Sequence, residues 1–181
     1  MTFTQIHPGG YLWRVERSER DACILQLATD IKKLIVVTRS DVAAQELSER
    51  LTLSGMPSVA AVSDDSAFAF HAYASDDLTT LVVSDAALHA NAPLASAMVI
   101  HAQLAHSPKT YHRRVADASA PVHVSLVVPE DVDIVDLLLP GITEGEVHDL
   151  EESVAVDSVV DLTVSANGLA TAGRRRFPLS R

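Results

Sequence analysis

Lys109, Arg113 and Arg114 stand close together on a stretch that Ser107 and Pro108 would open as a helix, since serine caps well and proline at the first helical position loses no hydrogen bond. They make a small basic patch that suits a phosphate group, with a solvated helix face as the plainer reading. Five histidines lie in this part of the chain: His89, His101, His106, His112 and His123. Metal binding needs ligands that converge on one point. The spacings of five and six residues among His101, His106 and His112 match neither one helix face nor a tight turn. Partly exposed loop histidines are the expectation. Ser84, His89 and an acid have the residue types of a nucleophilic triad, but no nucleophile-elbow pattern surrounds Ser84. Phe68, Phe70 and Tyr73 read as core packing or a partner-facing patch, not as base-stacking platforms. The run Arg174–Arg176 reads as a basic tip whose only link to nucleic acid is its charge.

These residues must be held by regular elements, and the apolar pattern supplies them. After the Pro8-Gly9-Gly10 turn, Tyr11 to Val15 reads as a short strand, with Trp13 packing against the first helix. Ser18 is a candidate N-cap for a helix through about Thr29, in which Cys23 is a small core residue. Leu34 to Val37 is a continuous apolar run, as in a strand buried on both faces. Ser40 caps a helix that Gly55 ends, and Val59 to Val62 is the next strand. Ser63 to Ser66 is a turn, followed by a short helix from about Ala67 to Ala74. Leu78 to Val83 and Ala97 to His101 are further buried strands, joined through a loop or helical turn over Ser84 to Pro93. The Ser107-Pro108 helix stops at Pro121. Val122 to Val128 is a last strand, and Pro129 opens a helix through about Leu139. Strand and helix alternating in this way imply an α/β fold: an open, mostly parallel sheet with helices on both faces.

Composition narrows the function. The chain has 181 residues, a formal net charge of −10 and a pI near 5.1. That balance disfavours a protein held mainly by long-range attraction to phosphate, yet allows a local basic patch. Cys23 is the only cysteine, which excludes an intrachain disulfide and a cysteine zinc site. The polar start fits no secretory signal, and no apolar run approaches the roughly 20 residues of a membrane span. A cytoplasmic setting without a membrane partner is expected. From Pro140-Gly141 onward the character changes. Acids gather between Glu144 and Asp161, no Lys or Arg occurs between Arg114 and Arg174, and the end is basic again. The division is a domain over 1–140 and an acidic, then basic, extension over 141–181, read as an added strand or a solvated tail.

The order of elements and several strings resemble the second, C-terminal RecA-like domain of DEAD-box RNA helicases, in degenerate form, from about Tyr11 to Leu139. Lys33 to Arg39 and the helix after it resemble that family's strand-loop-helix. Leu81-Val82-Val83-Ser84-Asp85-Ala86-Ala87 is similar to the string "LVATDVAARGLD". Val99-Ile100-His101 and Ser107 to Tyr111 are similar to "VINYDLPRDPEDY", and Arg113-Arg114-Val115 falls where "HRIGRTGR" begins.

The resemblance implies roles and also their loss. Two later arginines of "HRIGRTGR" reach ATP in the family and stabilise charge on the transferred phosphoryl group. Asp117 and Ala120 stand in those places, and a carboxylate there repels triphosphate. Arg114 matches the first arginine of the string. His89, Ala90 and Ala92 replace the Arg, Gly and Asp of "ARGLD". Ser84 keeps the hydroxyl that contacts the nucleic-acid backbone in the family. The family's glutamine-and-arginine segment is not recognisable, and the helix over Ala67 to Ala74 is short for it. Neither G-x-x-x-x-G-K-[ST] nor Asp-Glu-Ala-Asp occurs in the chain.

The expected function is therefore a non-catalytic helicase-like module, with no cofactor. It would bind another protein or, weakly, an RNA or DNA backbone through Arg39, Ser84, Lys109, Arg113 and Arg114. The acidic segment Glu144 to Asp161 is expected to occupy that basic face in the same molecule. The alternative is a subunit of a split or divergent ATP-dependent DEAD-box helicase whose first domain sits on another chain, with ATP as its ligand. A homodimer built on an exposed sheet edge or on Val154 to Val164 is a third reading.

Overall fold

Alternating apolar and polar residues at the start of the chain build a hairpin, β1 (Thr2–His7) and β2 (Gly10–Arg14). The computed structural model describes residues 2–29, 31–62, 66–143 and 154–155. Gly9 makes the hairpin turn at φ +78, and a Cβ there would lie 2.5 Å from the Pro121 carbonyl oxygen. A single 3-10 turn, Arg17–Glu19, leads into α1 (Arg20–Thr29). Then follow β3 (Leu34–Thr38), α2 (Asp41–Leu53), β4 (Val59–Ala61), α3 (Ala67–Ala74) and β5 (Thr80–Ser84). The second half contains α4 (Asp85–Ala90), β6 (Leu94–Ala95), β7 (Met98–His101), α5 (Pro108–Asp117), β8 (Ala118–Ser119) and β9 (His123–Val127). A turn at Pro129–Asp131 opens α6 (Val132–Thr143), and β10 is the pair Val154–Ala155.

The sheet runs β10-β1-β2-β9-β7-β3-β5-β4. From β2 to β4 every neighbouring pair is parallel, whereas β1 is antiparallel to both β2 and β10. The two-residue strands β6 and β8 pair separately. All five residues of β3, β5 and β9 are buried, as strands covered on both faces require. On one face Ile24, Leu27, Leu47 and Leu51 of α1 and α2 pack with Trp13, Val36 and Ile100. On the other, Phe70, Tyr73 and Leu88 of α3 and α4 meet Ile35, Val37 and Val83, while Tyr111, Val135 and Leu138 of α5 and α6 meet Ile6 and Val127. The α/β reading of an open, mostly parallel sheet with helices on both faces describes this architecture.

Several local expectations change. Ser18 does not cap an α-helix, because it lies inside the 3-10 turn and α1 begins at Arg20. The span Ser84 to Pro93 contains a true helix, α4, whose cap is Ser84. The last helix continues past Leu139 to Thr143, with Pro140 inside it. His101 and His123 are not loop residues. They lie in β7 and β9 and are buried, since their flanking residues belong to the apolar interior of the sheet. Val154–Ala155 adds antiparallel to β1. The remainder of the acidic stretch, the Arg174–Arg176 run and most of the turn at Ser63 to Ser66 lie outside the described residues.

Candidate functional site

Parallel strands end together on one edge of the sheet, and in open α/β sheets that edge is where ligands bind. Here β3 ends at Thr38 and β5 at Ser84, and each is followed at once by a helix capped by a serine. Ser40 Oγ accepts the Ala43 N–H of α2 at 3.3 Å, and Ser84 Oγ accepts the Ala87 N–H of α4 at 3.2 Å. The next residue in each case is an aspartate, Asp41 or Asp85, in the first helical turn, where the positive end of the helix dipole favours a carboxylate. Ser84 also donates its hydroxyl proton to Asp41. Its oxygen is thus used twice, and the residue is buried.

Arg114 is the centre of the site. It lies on the inner face of α5, three residues after Tyr111, and only 2% of it is exposed. Its Nε and Nη2 donate to the two oxygens of Asp85 at 2.5 and 2.8 Å, and Nη1 donates to the Gln103 carbonyl at 2.7 Å. A two-point fork of this kind is the strongest pairing that arginine makes with a carboxylate. Gln103 extends the network, because its side-chain oxygen accepts the Arg39 N–H at 2.9 Å. Arg39 itself donates from Nε to the Leu104 carbonyl at 2.5 Å and approaches Asp131 at 3.6 Å.

Arg113 faces the other way. Half of its side chain is exposed, and its Nε donates to His89 Nδ1 at 2.8 Å. The Asp117 carboxylate lies 3.1 Å from the same nitrogen and 3.6 Å from Arg113 Nε. Asp117 is therefore turned onto a histidine and an arginine of its own surface. Lys109 is exposed on the first turn of α5. Of the five sequence candidates, Arg39 and Arg114 join one polar network through Gln103, and Ser84 makes a separate pair with Asp41 at the same strand ends, while Lys109 and Arg113 lie on the outer face of α5. Their partners, Asp41 for Ser84 and Asp85, Gln103 and Asp131 for the two arginines, were not among those candidates. The only sequence signal for two of them is an acid directly after a capping serine.

Behind Arg114 lies a histidine layer. His101 Nε2 and His123 Nδ1 are 3.3 Å apart, their rings stack, and the Tyr111 ring lies 5.3 Å from that of His101. His7 donates from Nδ1 to the Pro8 carbonyl at 2.9 Å, which leaves Nε2 to accept the Tyr111 hydroxyl proton at 2.8 Å. Burial, then the charge of Arg114 and the neighbouring imidazoles, holds His101 well below the usual histidine range. Burial and His7 bring His123 down to about 4. Both rings are neutral near pH 7, so one donates to the other. Burial also raises the Tyr111 hydroxyl above its ordinary value.

Among the described residues no helix is long and apolar enough to cross a membrane. No family model matches the sequence, and no curated protein is significantly similar to it. Solved structures are more informative. A structure of the E. coli DEAD-box protein SrmB bound to regulator of ribonuclease activity A matches with a TM-score of 0.62 at 17% identity, over 82% of this chain and 91% of that one. The C-terminal domain of S. cerevisiae Dbp5 bound to Gle1 and IP6 matches at 0.62 and 14%, over 86% and 95%. A DEAD box protein from the hyperthermophile Methanococcus jannaschii matches at 0.63 and 13%, over 74% of this chain and 39% of its own. Domain-length matches at this identity establish architecture, and the chain has the fold of the C-terminal RecA-like domain of DEAD-box helicases.

Proposed function

We propose that this domain is a non-catalytic, helicase-like binding module. The observation that carries this reading is Asp117. The resemblance puts a phosphate-contacting arginine at that position, and a carboxylate stands there instead, closed onto His89 and Arg113. Arg114, the arginine that is retained, is spent on Asp85 and has almost no exposed surface to offer a nucleotide. Nucleotide chemistry needs cations that meet developing charge on the phosphoryl group. On this reading Arg114, Ser84 and Asp85 shape the strand ends, and they do not touch the ligand directly.

The favoured ligand is a protein. Two of the similar structures are complexes with one, regulator of ribonuclease activity A for SrmB and Gle1 for Dbp5. A nucleic-acid backbone is the weaker ligand, approached through Lys109, Arg113 and Arg39, where the positive charge is exposed or half-buried. The test is fluorescence anisotropy with labelled single-stranded RNA at two salt concentrations. Weak, salt-sensitive binding that falls further in Lys109→Gln and Arg113→Gln variants supports the backbone contact. Binding unchanged in both variants removes these residues from it.

A further inference from the structure

A polar crevice of about 440 Å³ lies outside the carboxyl ends of β3 and β7, between the start of α1 and the side of α2. None of the five sequence candidates, Arg39, Ser84, Lys109, Arg113 and Arg114, lines it. The chain leaves β3 toward β5 and β4, and later returns to β7 on the opposite side of β3. The crevice thus sits at the point where the strand order reverses, the usual place for a ligand in an open parallel sheet.

Its wall carries three guanidiniums, Arg17, Arg20 and Arg50, and two carboxylates, Asp21 and Glu46. Arg50 Nε lies 2.6 Å from Asp21 Oδ2, so that pair is closed. Arg20 and Asp21 are not: Arg20 Nε and Asp21 Oδ1 are 3.6 Å apart, too far for a hydrogen bond. Both atoms are buried and lack a hydrogen-bond partner among the described residues. A buried donor and a buried acceptor left open side by side call for an explanation. Among the described residues Arg17 is bound only by an exposed pair with Glu130 at 3.3 Å, which holds it weakly.

The open valences specify a ligand. Arg20 needs an acceptor that arginine grips well, and a phosphate oxygen is one. Asp21 needs a donor, and a sugar hydroxyl supplies one without setting a further negative charge against the carboxylate. We propose that the crevice binds a small phosphorylated sugar, its phosphate on Arg20 with Arg17 and Arg50 nearby, its hydroxyls on Asp21 and Glu46. Gln103 also lines the crevice. Through its bonds to Arg114 and Arg39, an occupant would touch the network at the strand ends.

Isothermal titration calorimetry on the full chain at low salt tests this with ribose 5-phosphate, AMP, ribose and inorganic phosphate. The expected result is that ribose 5-phosphate or AMP binds at least about tenfold more tightly than ribose or inorganic phosphate. Preference between those two distinguishes a free sugar phosphate from a nucleotide as the source. Arg20→Gln is expected to weaken that binding about tenfold. Glu46→Gln, on an exposed helix face, is expected to erode the preference for the sugar while circular dichroism stays unchanged. No binding of either sugar phosphate at millimolar concentration, equal affinity for inorganic phosphate, or Arg20→Gln binding like the parent protein would each overturn the proposal.

Discussion

Arg114 and Asp85 are locked together by two hydrogen bonds of 2.5 and 2.8 Å at the carboxyl ends of the strands, with the guanidinium out of contact with water. The pair joins α5 to the start of α4 and, through the Gln103 carbonyl, to the loop after β7. Removing Arg114 leaves the mostly buried Asp85 carboxylate, 23% exposed, without its counter-charge. Arg114→Met is expected to destabilise the fold by about 3 kcal/mol, because an unpaired charge at a desolvated site is costly. Arg114→Lys should recover part of the loss, since an ammonium keeps the charge and gives up the fork. Urea unfolding measures both. A loss below about 1 kcal/mol for Arg114→Met, typical of a surface pair, would show that the pair does not organise the site.

Acid should weaken the protein through its histidine layer. His101 and His123 are held neutral in the fold, His123 down to about 4, whereas in the unfolded chain each titrates near 6.5. The groups facing them are His7, Tyr111 and Arg114, with the Ala120 backbone bonded to His123. Between those limits the unfolded chain binds more protons, so stability rises with pH. The contribution is complete above about pH 6.5 and is lost as pH falls through about 4. For His123 alone the shift corresponds to about 3 kcal/mol. Thermal unfolding from pH 7 to pH 4 is expected to show this decline, and His123→Gln to flatten part of it. Equal stability across that range would contradict the buried neutral pair.

Much of the fold was legible because local chemistry and global architecture agree. Ser40 and Ser107 cap the helices their positions predicted, and Leu34 to Val37 reads as a buried strand and is one. β1 was missed because it lies toward the edge of the sheet, where Thr4 and Gln5 remain at least partly exposed while Ile6 joins the core. His101 and His123 lie in strands that the apolar runs around them predict, and their burial follows from those strands and not from the polarity of the imidazole. The fate of Arg114 was half legible. Tyr111 and Arg114 fall on one face of α5, and the partner of Arg114, Asp85, lies 29 residues away, joined by tertiary folding alone.

Asp117 masks Arg113 on the surface of α5. Asp117→Asn is expected to change stability by less than about 1 kcal/mol, since its partners are half-exposed. It should also raise affinity for single-stranded RNA and steepen the salt dependence by about one unit, as one more cation becomes available to phosphate. Anisotropy titrations at several salt concentrations measure both. Affinity and slope unchanged from the parent protein would show that Arg113 takes no part in backbone binding.

Gly9 turns the first hairpin at φ +78, and its carbonyl accepts the His123 N–H at 2.7 Å. Gly9→Ala would set a methyl group against the Pro121 carbonyl in a backbone region that alanine avoids. A loss of about 2 kcal/mol or more is expected in urea unfolding. A variant as stable as the parent would mean that the turn relaxes without loss.

The acidic segment Glu144 to Asp161 lies mostly outside the described residues, and we propose from its charge that it masks the same basic face. Deleting residues 143–181 removes it and is expected to raise RNA affinity. No change in an anisotropy titration would count against a masking role.

The central claim is that a helicase-type scaffold here works without helicase chemistry. Its most direct measurement is phosphate release from ATP with Mg²⁺ and single-stranded RNA in excess. The prediction is release at the rate of the protein-free control, with or without RNA. RNA-stimulated hydrolysis that disappears in an Arg114→Lys variant which remains folded would contradict it.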